Sequence, residues 1–271
     1  RSDTNMLSYK KRFGLSAHCL PLSLDEMLRA AQHCGIENIE PDAATAPFAE
    51  FLDGTAFDAV AAEELRERLA SHSVAVTSLM YRINPIDPDK RLRSHSIERF
   101  MNMIRYAKIL GAEMICTDVG RAETVSAAMS DDTYRLLLDE LCPIVSRAEC
   151  QGVTVAFELS ESSILYSEER AAQFISDLGS ERIGFFADSS RLLPPDSAQT
   201  PAQRLIASNI CAVRLHGFPT ELTAAKLGRF FDFKAETNSA PAVIFDGIAA
   251  AGFTAAAEYI EKYIGAQSAR F

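Results

Sequence analysis

Two glutamates, an aspartate and a histidine stand at the ends of short apolar runs in the C-terminal half of the chain. Glu158 follows Val153-Thr154-Val155-Ala156-Phe157, and Asp188 follows Ile183-Gly184-Phe185-Phe186-Ala187. His216 follows Cys211-Ala212-Val213-Arg214-Leu215, and Glu258 follows Phe253-Thr254-Ala255-Ala256-Ala257. A buried strand that ends on a carboxylate or imidazole is costly unless that group has a partner. Four such ends meeting in space would offer three oxygen donors and one nitrogen donor to a hard divalent cation. Taken singly, each has a plainer explanation: a strand-end carboxylate often caps the next helix, and a lone histidine near a core is usually just hydrogen-bonded.

Alternation along a strand decides where these groups point. Glu158 shares a face with Ala156 and Thr154, Asp188 with Phe186 and Gly184, His216 with Arg214 and Ala212, and Glu258 with Ala256 and Thr254. The opposite faces carry Val153, Val155 and Phe157, or Ile183 and Phe185, or Val213 and Leu215. Those apolar sets suit packing against helices, which leaves the four polar ends facing a common centre.

The elements that must position them repeat. Glycines at 35, 111, 152 and 252 each close a helical pattern shortly before a β-type run, and glycine past a helix end supplies the left-handed cap. Strands are expected near 13–18, 36–40, 74–79, 113–118, 153–158, 183–188, 211–216 and 253–258. Helical periodicity fills 24–34, 60–71, 97–110, 134–150, 168–178, 202–208 and 243–251. Ser23 and Glu26 form a capping-box pattern at the first helix, and Pro143 is expected to kink the fourth.

Alternating strands and helices with long crossovers leave a doubly wound sheet or a closed barrel, and eight units favour a single (β/α)8 barrel over residues 1–271. The length, 271 residues, sits near the roughly 250 typical of that fold. Glu258 lies so near the C-terminus that the last helix is expected to be short or missing. The long stretches 81–93, 119–132, 189–200 and 217–240 follow predicted strands, where such barrels build their active face. No glycine-rich phosphate-binding signature follows any strand.

The formal charge of −10 repels phosphate backbones and anionic membranes, so neither nucleic acid nor membrane is an expected partner. No apolar run approaches the ~20 residues that span a bilayer, and 1–13 has no signal-peptide core; a cytoplasmic protein is expected. The six cysteines form no CxxC pair and read as reduced structural thiols, mostly in segments expected to be buried. Residues 1–5, ahead of Met6, read as a vector-derived leader without weight in the argument.

The residues quoted above, with Leu24-Asp25-Glu26-Met27-Leu28, Gly35-Ile36-Glu37-Asn38-Ile39-Glu40 and Ala107-Lys108-Ile109-Leu110-Gly111-Ala112, make the chain resemble the xylose-isomerase-like superfamily of sugar phosphate isomerases and epimerases. Ketose 3-epimerases, hydroxypyruvate isomerases and inosose dehydratases belong to it. The resemblance implies one divalent ion (manganese, magnesium, cobalt or zinc) held by Glu158, Asp188, His216 and Glu258. It implies a small carbohydrate or polyol substrate and proton transfer through an enediolate, with Glu158 and Glu258 on opposite sides of the reacting carbon. A homo-oligomer, with a second copy covering the shortened end, is compatible with it.

The family usually reads Asp-x-x-His after strand six, where this chain reads Asp188-Ser189-Ser190-Arg191. Arg191 either marks an anionic substrate or pairs with a nearby acid. Arg214, where many relatives carry a histidine, either neutralises the acidic cluster or touches substrate. His18, Glu40 and Arg229 are further substrate-binding candidates, His18 and Glu40 at strand ends and Arg229 in the long stretch after strand seven; Asp118 and Arg121 could reach the same pocket. A dehydratase would use the same ligands, and a catalytically silent sugar-binding protein would fit the missing strand-six histidine. A multi-zinc endonuclease of the superfamily is disfavoured by the charge and by only five histidines.

Overall fold

A computed structural model describes residues 12–21, 23–120, 130–160, 163–165, 167–189, 192, 200–236 and 241–268. Arg121, Arg191 and residues 1–5 lie outside the described residues.

Nine short strands form one parallel sheet: β1 (Phe13–Ser16), β2 (Asn38–Glu40), β3 (Ala75–Val76), β4 (Ser78–Met80), β5 (Met114–Thr117), β6 (Thr154–Leu159), β7 (Ile183–Asp188), β8 (Ile210–His216) and β9 (Ala242–Asp246). Their order is β3-β2-β1-β9-β8-β7-β6-β5-β4. The two ends of that order, β3 and β4, are separated in the chain only by Thr77, so they are halves of one barrel strand. Its first half pairs with β2 and its second with β5, and Met80 also bridges to Asp42, which closes the sheet. Two residues rather than one separate Val76 from Leu79, both of which join the helix-facing core; the extra residue interrupts the ladder as a bulge does.

Eight helices of the described residues follow the strands: α1 (Leu24–His33), α2 (Ala59–Ser71), α3 (Lys90–Leu110), α4 (Asp131–Gln151), α5 (Glu168–Leu178), α6 (Pro201–Asn209), α7 (Glu221–Glu236) and α8 (Phe253–Ser268). Local chemistry sets their ends. Ser23 accepts the Glu26 N–H at 3.3 Å and donates its hydroxyl to the Glu26 carboxylate at 3.1 Å, so half of the expected capping box forms. Thr200 and Gln203 complete the reciprocal version at α6. Gly111 and Gly152 close α3 and α4 in the left-handed conformation, and α4 runs through Pro143. None of the described helices is long and apolar enough to cross a membrane.

The alternation read from the sequence holds. Val155, Phe157, Phe185, Val213, Leu215, Val243 and Phe245 pack in the large core between sheet and helices. Met80, Met114, Cys116, Ala156, Phe186, Ala212 and Ala242 form a smaller cluster inside the barrel. The interior is narrow at two glycines: a Cβ on Gly14 would come within 2.8 Å of Thr77 Oγ1, and one on Gly184 within 2.8 Å of the Asn209 carbonyl. The six cysteines are free thiols; Cys116 is buried, but Cys142 and Cys150 are exposed on α4.

The C-terminal quarter differs from the sequence expectation. Residues 253–258, read as the eighth strand, begin α8, and the segment 243–251, read as a helix, contains the eighth barrel strand β9 and the turn after it. Three consecutive alanines favour a helix, whereas Ala242-Val243-Ile244-Phe245-Asp246-Gly247 is a β-rich run ending on a turn pair, with Gly247 at φ +65. The last helix is therefore present, 16 residues long. The stretch 217–240 contains α7 rather than loop alone, and Arg229 is exposed on that helix.

Candidate active site

The C-terminal ends of the strands carry a ring of charge, laid down by register. His216 pairs with Asp246 across β8 and β9, Asp188 lies level with Arg214, and Ser16 with Glu40. One arc of the ring is closed. Arg214 forms a short ion pair with Glu40, which is 2% exposed and also accepts the Ser78 hydroxyl at 2.8 Å. The second guanidinium nitrogen of Arg214 lies 3.5 Å from Asp246 Oδ2, and its plane lies 5.4 Å over the Phe186 ring. Asp246 Oδ1 meets His18 Nε2 at 2.6 Å, and His18 Nδ1 lies 2.7 Å from Ser16 Oγ.

The other arc is crowded with carboxylates. Arg82 Nη1 contacts both Asp118 oxygens at 2.7 and 2.9 Å and reaches Glu158 Oε2 at 3.4 Å. Burial first, and then the Asp118 carboxylate beside it, push the Glu158 acid up to about 7 against the pull of Arg82 and Arg214. A carboxylate held near neutrality can both take and return a proton. Between the arcs stands His216, with Nε2 3.1 Å from Asp188 Oδ2 and Nδ1 3.6 Å from Asp246 Oδ2.

Glu158, Asp188 and His216 thus end adjacent strands at the barrel mouth, and His18, Glu40 and Arg214 lie in the same ring. Glu258 does not. It sits on α8 beside a hollow lined by Phe13, Gly35, Glu37 and Phe253, at the N-terminal end of the strands. The eighth strand instead delivers Asp246. Arg214 takes the neutralising role, buried against Glu40 and Asp246, and Arg229 takes no part in the described hydrogen bonds of the ring. The chain pattern does not single out Arg82 or Asp246: Arg82 lies just beyond β4, and Asp246 ends β9, where the pattern predicts a helix. The Asp-Gly pair after Val243-Ile244-Phe245 was the signal for Asp246.

Asp188 Oδ2 and His216 Nε2 stand at about the separation of two donors sharing one ion, and the crowding of Glu158 and Asp118, which Arg82 offsets only in part, is what a cation would ease. Asp188 and His216 therefore fit such an ion in type, with Glu158 on the neighbouring strand, in place of the expected set with Glu258; Asp246 meets the other edge of the His216 ring. A different trio, His18, Cys19 and Asp246, has donor atoms all within 4.8 Å of one another. A cavity of about 600 Å³ lined by Arg12, Glu37, Thr77, Glu113 and Met114 lies at the opposite end of the strands, away from this chemistry.

The charged groups of this parallel (β/α)8 barrel gather at the C-terminal mouth, the end where enzymes of this fold build their sites. The chain belongs to the xylose isomerase-like TIM barrel family, whose model matches residues 28–259. No curated protein matches it by sequence. Among solved structures it is similar to 3-keto-D-glucoside 4-epimerase from E. coli, at 14% identity and TM-score 0.70 over 93% of this chain and 99% of that one. It is also similar to D-psicose 3-epimerase from Clostridium cellulolyticum H10, solved with D-tagatose, at 10% identity and TM-score 0.67 over 96% and 97%. A xylose isomerase-like barrel protein from Mycobacterium smegmatis, in complex with magnesium, matches at 14% identity and TM-score 0.67 over 94% and 97%. At these identities the likeness is one of fold.

Proposed function

We propose that the protein is a sugar isomerase or epimerase that moves a proton on the carbon next to a carbonyl of a ketose, a sugar phosphate or a related α-hydroxycarbonyl compound. The observation that supports this reading most is the setting of Glu158: a half-buried acid at the barrel mouth, within reach of Arg82 and on the strand next to the one that carries Asp188. The epimerases and the magnesium-bound relative among the structural neighbours agree with it.

A divalent ion held by Asp188 and His216, with Glu158 beside them, would polarise the substrate carbonyl and acidify the adjacent C–H. Manganese, magnesium, cobalt and zinc all accept such donors. Glu158 is the group that takes the proton and gives it back. Arg82 holds Glu158 and Asp118 in place and offers its remaining N–H groups to substrate hydroxyls. Asp246 cannot serve as a mirror image of Glu158, because His18 and Arg214 already engage both of its oxygens. The proposal is therefore for one principal acid–base group rather than two facing glutamates.

The test is incubation of purified, metal-loaded protein with a panel of ketoses, inososes and hydroxypyruvate, followed by product analysis. Isomeric or epimeric products support the proposal. Loss of water from the substrate would show a dehydratase instead, and no turnover across the panel with metal bound would contradict the reading.

A further inference from the structure

His18, Cys19 and Asp246 meet where the first and eighth barrel strands end, and the mechanism above uses none of their first two side chains. His18 Nε2 lies 2.6 Å from Asp246 Oδ1, and Cys19 Sγ lies 3.9 Å from the same oxygen. Tetrahedral zinc holds nitrogen and oxygen donors about 3.4 Å apart and sulfur and oxygen donors about 3.6 Å apart. The two separations to Asp246 Oδ1 lie within about 1 Å of those values, and all three donor atoms lie within 4.8 Å of one another.

Each donor also has an outer partner of the kind that aims a ligand. Ser16 Oγ, 4% exposed on β1, stands 2.7 Å from His18 Nδ1, which can fix the tautomer that leaves the Nε2 lone pair free for metal. Burial, with Asp246 beside it, holds the Cys19 thiol above its ordinary value, and the backbone N–H groups of Gly247 and Ile248, which the sulfur faces, offset only part of that. Arg214 lies 3.5 Å from Asp246 Oδ2 and so turns the other oxygen, Oδ1, toward His18 and Cys19.

We propose that His18 Nε2, Cys19 Sγ and Asp246 Oδ1 form a zinc-type cation site with a fourth position left to water or a substrate oxygen. A thiolate, an imidazole and a carboxylate select zinc or cobalt over magnesium or manganese. The site is separate from the one at Asp188 and His216, and Asp246 stands between the two, with Oδ1 toward one and Oδ2 toward the other. It does not depend on the proposed sugar chemistry.

The experiment is cobalt substitution of the full chain after chelator stripping, read by absorption spectroscopy. The wild-type protein is expected to show the intense near-ultraviolet thiolate-to-cobalt band. Cys19→Ser should abolish that band, and His18→Ala should weaken cobalt binding by at least about tenfold, as read by titration. Absence of the band in wild type, or its persistence in Cys19→Ser, would overturn the site. Sugar turnover with magnesium in a protein lacking the band would remove this site and leave the proposed function standing. A band without turnover on any sugar would do the reverse.

Discussion

On the arc formed by β1, β2, β8 and β9, every charge has been spent on another: Glu40 on Arg214 and Ser78, Asp246 on Arg214 and His18. On the arc formed by β4 to β7, Arg82 must serve two carboxylates at once, and Glu158 keeps 28% of its side chain exposed with its acid raised to about 7. The same residue types give a braced wall on one side and a reactive edge on the other: each arc has one guanidinium for two carboxylates, but Ser78 and His18 add partners on the first, which is also more deeply buried. A buried group with matched partners stays in one protonation state, whereas a carboxylate crowded by another is poised to change.

Removing the divalent ion at Asp188 and His216 should have the largest effect on turnover, because it strips the reactive edge and leaves the Arg214–Glu40 pair in place. Chelation is expected to cost several kcal/mol of transition-state stabilisation, at least about a hundredfold in rate, with recovery on adding manganese or magnesium, measured by steady-state kinetics. Arg214→Met should do the opposite. It strands Glu40 in the interior and is expected to cost about 3–5 kcal/mol of stability in chemical denaturation. Pairing it with Glu40→Gln should recover much of that loss.

A smaller effect separates the arcs by pH. The folded protein holds the Glu158 proton more tightly than an unfolded chain, where glutamate titrates near its ordinary value of 4.5. Its contribution to the stability of the metal-free protein is fully present below about pH 4.5, and falls as pH rises through about 7. Glu158→Gln should remove that slope in denaturation curves taken across the window. The smallest effect belongs to Glu258→Gln on α8, which should leave turnover within about twofold of wild type. A large loss there would reinstate the site expected from the chain pattern.

Most of this architecture could be read in advance, for identifiable reasons. Runs such as 153–158 and 183–188 are β-rich, bounded by turn signals and alternate cleanly, so both the strand and the facing of its last residue follow. The eighth unit failed because short apolar runs carry no reliable period. Phe253 to Glu258 and Ala242 to Asp246 both look like strands by hydrophobicity, and only alanine's helix preference tells them apart. Arg82 was invisible for a different reason. Its significance lies in contacts with Asp118 and Glu158, 36 and 76 residues away in the chain, which exist only once the barrel has closed.

If Glu158 moves the proton, hydrogen exchange reads that step without requiring net conversion. Incubated in heavy water with a ketose that the wild-type protein turns over, the wild type should place deuterium on the carbon beside the carbonyl. Glu158→Gln, correctly folded and loaded with the same metal, should do so roughly 10²–10⁴-fold more slowly. Exchange at the wild-type rate in that variant would contradict the assignment and move the chemistry to another part of the ring.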